Sequence, residues 1–413
     1  MSASHPRALA PIVFAYATFV LAGLSAGVGG VLLPAQLLDY RLDKATIGVT
    51  FFAFSAGFLL AGATAGTLIH RLGTRAALTT GGAAFIAAGL GTATRPAFAV
   101  LVGVQVVAGY GTGVLESVLN AYLAALPGST TLLNWLHAFF GVGALIGPPL
   151  ATWMLGFTAW TSVWLVLALA CAPIVAGFQL TLRATAGSAP TGALAGAPTG
   201  VPDPPPARGL VRAAGRRPAV LLGAVFLAVY VGLEISVGNW GFSYLVAERG
   251  HGDLLAGYTV SGYWLGLTLG RFVLSPAAAR LGWTANRLMT ACLIGVTLAA
   301  ALLWLVPATA VAAFALLGFW LGPVFPTTMA IAPALAPGEL APTAIGLLNG
   351  VSVLGGALFP FLAGAIADRS GLWTLAPFAL ALAVAELLIW WPTVRHMTTA
   401  APVQPAQGLN AST

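Results

Sequence analysis

Four ionisable side chains stand deep inside apolar stretches of this sequence: Glu116, Glu234, Arg271 and Glu386. On insertion scales a charged side chain at the centre of a membrane helix costs about 2.5 to 3.5 kcal/mol, so each must be neutralised, paired or hydrated by its surroundings. A carboxyl in an apolar cavity that is wet only part of the time can change charge as access changes, which is the chemistry of a proton carrier. Glu116 is the first candidate for that role. The alternative is a permanently protonated Glu116, hydrogen-bonded to a neighbouring helix and fixing its packing. Asn120 shares its face one helical turn on. Asn134 and His137 lie on the next apolar run, entering from the same side, where they could approach Glu116 at similar depth. For His137 a structural role and a coupling role stand open equally.

Such residues need helices to hold them, and the composition calls for membrane helices. Of 413 residues 59% are hydrophobic and only 7% charged, whereas soluble domains are about a quarter charged. The net charge of +7 is not gathered into a dense basic patch, so no nucleic-acid partner is expected. Cys171 and Cys292 each sit in an apolar run and far apart, which implies neither a disulfide framework nor a cysteine metal site. A bilayer core of about 30 Å takes roughly 20 apolar residues per helix, and twelve such spans follow one another: 12 to 36, 45 to 69, 76 to 94, 97 to 126, 131 to 155, 160 to 183, 218 to 246, 254 to 279, 285 to 306, 308 to 335, 340 to 367 and 372 to 394. We number them one to twelve. The predicted class is an all-α membrane protein, with an N-terminal half at 1–183, a Pro/Gly/Ala-rich linker at 184–217, a C-terminal half at 218–394 and a tail at 395–413.

The two halves read as a repeat. At an offset of 209 residues Gly23, Gly29, Gly48, Gly57 and Gly73 fall on Gly232, Gly238, Gly257, Gly266 and Gly282, and Arg71-Leu72 on Arg280-Leu281. Five of the nine glycines up to Gly73 match, where a content of 51 in 413 gives about one by chance. Gly109 and Gly113 land on Gly318 and Gly322, small-xxx-small pairs that let spans four and ten approach a neighbour closely. Six spans return the chain to its starting side, so the halves run parallel. The intramembrane charges do not follow the repeat: Glu116, Glu234 and Arg271 pair with Phe325, Ser25 and Gly62. Orientation follows from the basic residues. A cytoplasmic N-terminus puts Arg7, Arg71, Arg75, Arg183, Arg208, Arg212, Arg216, Arg217, Arg280, Arg287 and Arg395 inside, against Arg41, Lys44, Arg95, Arg249 and Arg369 outside. Both termini are therefore expected in the cytoplasm. The first apolar run, although preceded by Arg7, is read as a spanning helix and not as a cleaved signal, because its repeat partner is span seven.

Twelve helices in two parallel six-helix halves joined by a cytoplasmic linker resemble the major facilitator superfamily of secondary transporters. The loop after span two resembles that family's gating signature: Gly66-Thr67-Leu68-Ile69-His70-Arg71-Leu72-Gly73-Thr74-Arg75, with His70 where the family has an aspartate. The resemblance implies a gating role for Gly66, Arg71, Gly73 and Arg75, without the usual acidic partner. A degenerate copy runs from Ser275 to Gly282, and a third match at Gly364, Asp368, Arg369 and Gly371 falls on the outer side and is read as coincidence. Within the superfamily the chain is similar to the fucose and glucose permease branch of proton-coupled sugar symporters. The likeness rests on Glu116-Ser117-Val118-Leu119-Asn120-Ala121-Tyr122, on Leu133-Asn134-Trp135-Leu136-His137 leading to Gly143-Ala144-Leu145-Ile146-Gly147-Pro148, on Tyr230-Val231-Gly232-Leu233-Glu234 through Gly238-Asn239-Trp240, and on Gly262-Tyr263-Trp264-Leu265-Gly266-Leu267-Thr268-Leu269-Gly270-Arg271. Span one lacks the acid that studied members carry. Drug antiporters of the superfamily have an arginine where Gln105 stands, so that likeness is weaker.

The resemblance implies proton coupling at Glu116, Glu234 or His137, and substrate contacts from Asn120, Asn134, Glu234, Asn239, Trp240 and Asn349. Span seven lines the central cavity in this superfamily; an acid, an amide and an indole would bind sugar hydroxyls and stack on the apolar face of a pyranose. Trp240 could equally be an interfacial belt residue, and Asn349 could cap a local helix distortion. Arg271 is assigned a structural charge, Glu386 a packing role on a peripheral span, and Asp39, Asp43, Glu248 and Asp253 solvated places near outer loops. The expected function is secondary active transport of a small sugar-like solute, coupled to protons, by a monomer in the plasma membrane. The alternatives are proton-coupled efflux of a small organic compound and, behind it, a non-transporting sensor. No enzyme activity, cofactor, metal or ATP drive is expected, since no phosphate loop or metal-spaced His/Cys cluster occurs.

Overall fold

A computed structural model describes residues 6–182, 212–336 and 340–396. Most of the expected linker and nearly all of the expected tail lie outside these. Hydrocarbon offers the backbone no hydrogen-bond partners, so apolar segments satisfy their own N–H and C=O groups as helices. Span one is Pro6–Tyr40, span four Phe98–Ala124, span five Ser129–Leu155 and span six Trp160–Thr181. Spans seven, eight and nine are Pro218–Ala247, Asp253–Arg280 and Ala285–Leu305. Span ten comes in two pieces, Ala310–Leu321 and Val324–Leu335, and spans eleven and twelve are Ala341–Ser370 and Leu375–Arg395. Spans two and three form one helical run, Lys44–Ala93, of 50 residues. At 1.5 Å per residue such a run would be about 75 Å long, more than two bilayer cores, if it were straight. It turns at Gly73, whose backbone leaves the helix at φ 80°, ψ 162°. Gly282, its repeat partner in the loop between spans eight and nine, also has positive φ, 65°. Only glycine takes such angles without strain, which is why both copies keep it.

The repeat survives in packing to the residue. A methyl group on Gly57 would collide with the carbonyl of Val106, and one on Gly266 with that of Ala315; 57 and 106 are each 209 below 266 and 315. Likewise Gly109 lies on the carbonyl of Phe54, and Gly318 on that of Tyr263. Span two thus crosses span four as span eight crosses span ten, backbone on backbone, as the small-xxx-small pairs predict.

We call the end of the bundle that carries Arg71 and Arg280 the linker side and the opposite end the far side. The halves meet mainly along three pairs of spans, one with seven, two with eleven and five with eight, with a slighter contact of span one on span eight. The specific contacts all fall from mid-depth to the far side. Gly30 lies on the carbonyl of Gly238, Gly48 against the Phe361 ring, and Gly257 against Thr152. The Ser261 hydroxyl donates to the Leu145 carbonyl, and Phe52 meets Phe361 edge-on at 5.4 Å. Among the described residues span four makes no extensive contact with span ten or span eleven. Among the described residues the halves are held together toward the far side, and the space between them toward the linker side, where Asn134, His137 and Asn349 are exposed, is the candidate chamber.

Candidate substrate chamber

Glu116 stands about two thirds of the way along span four, half-buried, and its carboxyl makes no hydrogen bond or ion pair among the described residues. Asn120 follows one turn later, with its amide turned back to donate to the Glu116 carbonyl at 2.8 Å. Span five presents Asn134 and His137, both exposed. The imidazole of His137 meets the ring of Phe19 from span one at 5.5 Å and 85°. Across the seam His137 lies within electrostatic reach of Arg271.

The second half supplies a knot of polar groups at that seam. Glu234 of span seven is half-buried, interacts with the Tyr230 hydroxyl one turn before it, and lies in the field of Arg271. The Tyr263 hydroxyl donates to the Glu234 carbonyl at 3.1 Å. Arg271 uses Nε to donate to the Gly322 carbonyl at 3.1 Å, and the Tyr230 hydroxyl donates to the Leu321 carbonyl at 3.2 Å. Both acceptors sit at the break in span ten, where two prolines, Pro323 in the break and Pro326 just after it, lack the N–H groups a continuous helix needs. The carbonyl of Gly322 should receive the N–H four residues on, but that residue is Pro326, which has none. Arg271 fills the vacancy, so its structural assignment acquires a specific partner, one that the sequence had left unnamed. Its guanidinium makes no ion pair among the described residues.

The other candidates are dispersed. Trp240 is 1% exposed, with Nε1 donating to the Pro360 carbonyl at 2.8 Å and its ring edge-on to Phe51 at 6.4 Å. It is sealed in the far-side seam between spans seven, eleven and two, and offers the chamber no stacking face in this conformation. Asn239 is half-buried beside Gly29 and Gly30 of span one, at the crossing of spans one and seven. Asn349 is exposed on span eleven, and its carbonyl accepts from the Ser352 hydroxyl at 2.8 Å. Glu386 is fully buried where span twelve packs on spans seven and nine, both carboxyl oxygens without a hydrogen-bond partner among the described residues. It lies in the field of Glu234, which a peripheral place would not have suggested.

In the linker-side loop Gly66, His70 and Arg71 are exposed, and Arg75 donates through Nε to Gln179 of span six at 2.5 Å. Gln179 in turn donates to the Thr79 hydroxyl. The loop is thus tied within its own half. Two of the acids expected near the outer loops also have partners. Asp39 pairs with Arg95 and accepts from Trp160 Nε1, and Asp43 accepts from the Thr46 backbone N–H at 2.6 Å. The Thr46 side chain and, after it, this backbone hydrogen bond hold the exposed Asp43 carboxyl below its ordinary value of 3.8. On the far side Asp368 of span eleven accepts from the backbone N–H groups of Lys44 and Ala45 at 3.0 and 2.7 Å and pairs with Lys44 Nζ at 3.2 Å. Sequence reasoning passed over this residue, although the third copy of the loop signature had marked it.

Comparison with known proteins agrees with this architecture. The chain is 26% identical over 385 residues to the Bypass of stop codon protein 6 of Saccharomyces cerevisiae, covering 86% of this chain and 76% of that protein. It is 23% identical over 385 residues to the Glucose/galactose transporter of Brucella abortus, covering 86% and 87%. Among solved structures the nucleoside transporter NupG superposes with a TM-score of 0.76 at 12% identity, covering 94% of this chain and 100% of that one. A D-xylose-proton symporter gives 0.73 at 12%, covering 93% and 97%. A bacterial homologue of the human lysosomal transporter Spinster, inward-facing and occupied, gives 0.71 at 14%, covering 96% and 100%. The model of the Major Facilitator Superfamily matches residues 15–360 and 241–408, and with this twelve-span fold it establishes that the chain belongs to that superfamily.

Proposed function

We propose that this transporter takes up a small sugar-like solute together with protons, and that the chamber between its halves is the binding site. One observation carries the reading: Glu234, Arg271 and His137, from spans seven, eight and five, converge at a seam that is sealed on one side and open on the other. Alternating access needs such a site, reached from one side at a time. Directional donors and acceptors at mid-depth suit a solute rich in hydroxyls, and Asn120, Asn134, Asn239 and Asn349 extend that set. Glu116, with no partner of its own, is free to exchange a proton with the chamber. The names of a glucose/galactose transporter among the relatives and of a D-xylose-proton symporter among the structural neighbours support the same class. The arginine asymmetry supports a cytoplasmic linker side, and with it a plasma-membrane protein whose present conformation is inward-open. Trp240 would meet substrate only when the far-side seam parts.

Purified protein in lipid vesicles tests this. Accumulation of a labelled hexose or pentose under an inward proton gradient is expected. Failure across a sugar panel, with loss of a hydrophobic dye from acid-inside vesicles, would replace it with efflux.

A further inference from the structure

The first turn of span two has three backbone N–H groups, of Lys44, Ala45 and Thr46, that no helical carbonyl can reach. Two carboxylates take all three. Asp43, next in the chain, takes Thr46, and Asp368, 324 residues from Lys44 and in the other half, takes Lys44 and Ala45. Asp368 also holds the Lys44 ammonium. A carboxylate at a helix N-terminus gains from the aligned peptide dipoles as well as from the hydrogen bonds. The neighbourhood is shaped to allow this approach. Gly364, one turn before Asp368, lies on the Lys44 carbonyl, and Gly48, one turn after Lys44, lies on Phe361. A side chain at either glycine would hold the two helices apart.

We propose that Asp368 is the far-side latch of this transporter, a detachable cap that belongs to one half and completes a helix of the other. It stabilises the state closed on the far side, and it must be released whenever the chamber opens there. Two of its three interactions go to backbone, so the latch depends on Asp368 far more than on Lys44, unlike an ordinary ion pair, in which both partners matter alike. The proposal rests on the alternating-access part of the reading above and is independent of which solute or ion moves.

The test is sided cysteine labelling, which needs neither substrate nor gradient. Cys171 and Cys292 are replaced by alanine, and Ser55, buried on the same face of span two as Lys44 and Gly48, becomes the single reporter as Ser55→Cys. A membrane-impermeant maleimide is added from the far side of oriented vesicles. Asp368→Asn is expected to speed labelling by about tenfold or more, and Lys44→Ala by less than about threefold. Equal acceleration by the two variants, or none with Asp368→Asn, overturns the latch. If Asp368→Asn does not fold, Asp368→Glu serves: it keeps the charge but misplaces the cap, and should still label faster; unchanged labelling overturns the proposal. Absence of sugar uptake by the unsubstituted protein, with the labelling pattern intact, would refute the sugar reading and leave the latch standing.

Discussion

The Nε atom of Arg271 lies 3.1 Å from the carbonyl oxygen of Gly322, an acceptor that would belong to residue 326 if that residue were not proline. A charge at bilayer depth is thereby joined to a break in the helix across from it. The break and the arginine account for each other: without the arginine the buried Gly322 carbonyl loses its side-chain partner, and without the proline the arginine has nothing to cap.

That mutual dependence makes a double-mutant test. Arg271→Gln is expected to destabilise the purified protein by about 1 to 3 kcal/mol, the cost of stranding a buried polar group. Pro326→Ala restores the missing N–H and should recover much of that loss in the double variant, as measured by thermal unfolding in detergent. Strictly additive effects would show that the two residues are unconnected.

Glu116→Gln removes the proton site while keeping shape and hydrogen-bonding capacity. Gradient-driven accumulation should vanish, whereas exchange of labelled for unlabelled solute across the same vesicles should persist. Unchanged accumulation would take Glu116 out of coupling. Glu234→Gln should instead raise the half-saturation concentration about tenfold, the order expected when a charged hydrogen-bond partner of a hydroxyl is lost; an unaltered value would assign Glu234 to packing.

Glu386 sits with both oxygens unsatisfied in full burial. Filling that space with an apolar side chain of similar size is neutral or stabilising when the replaced polar group has no partner. Glu386→Met is therefore expected to leave the melting temperature unchanged or to raise it. A clear fall would mean that Glu386 has a partner in the working protein.

Asp43 predicts a pH effect confined to the far-side loop. Its carboxyl titrates below the ordinary value of 3.8 because the charged form accepts from Thr46. A depressed folded-state value means that the capping contribution is complete above the unfolded value and is lost as pH falls through the folded one. Amide exchange at Thr46 should accelerate below about pH 4 in the native protein and stay flat with pH in Asp43→Asn once intrinsic exchange is divided out. An acid-dependent rise that survives Asp43→Asn would place the titrating group elsewhere.

Much of this molecule was legible in its order of residues, for reasons that are local. A span needs only enough apolar residues in a row, so most of the membrane helices could be read from composition along the chain. The 209-residue repeat was visible because glycine at a close crossing or at a positive-φ turn is required at that very position, and Gly57, Gly109 and Gly73 keep their copies in Gly266, Gly318 and Gly282. Glu116, Glu234 and Arg271 stood out because a charge in an apolar run is conspicuous wherever the helix points. What lay beyond reach depends on helix rotation and on contacts between halves, neither of which has a signature within one segment. Trp240 and Glu234 are six residues apart on the same helix, yet one is sealed in the seam and the other is only partly buried. Asp368 looked like a stray copy of a motif until packing set it on the first turn of span two. Which side is open, and what closes the other, is decided by how two near-identical bundles lean on each other, because that balance is summed over many weak contacts between residues hundreds of positions apart.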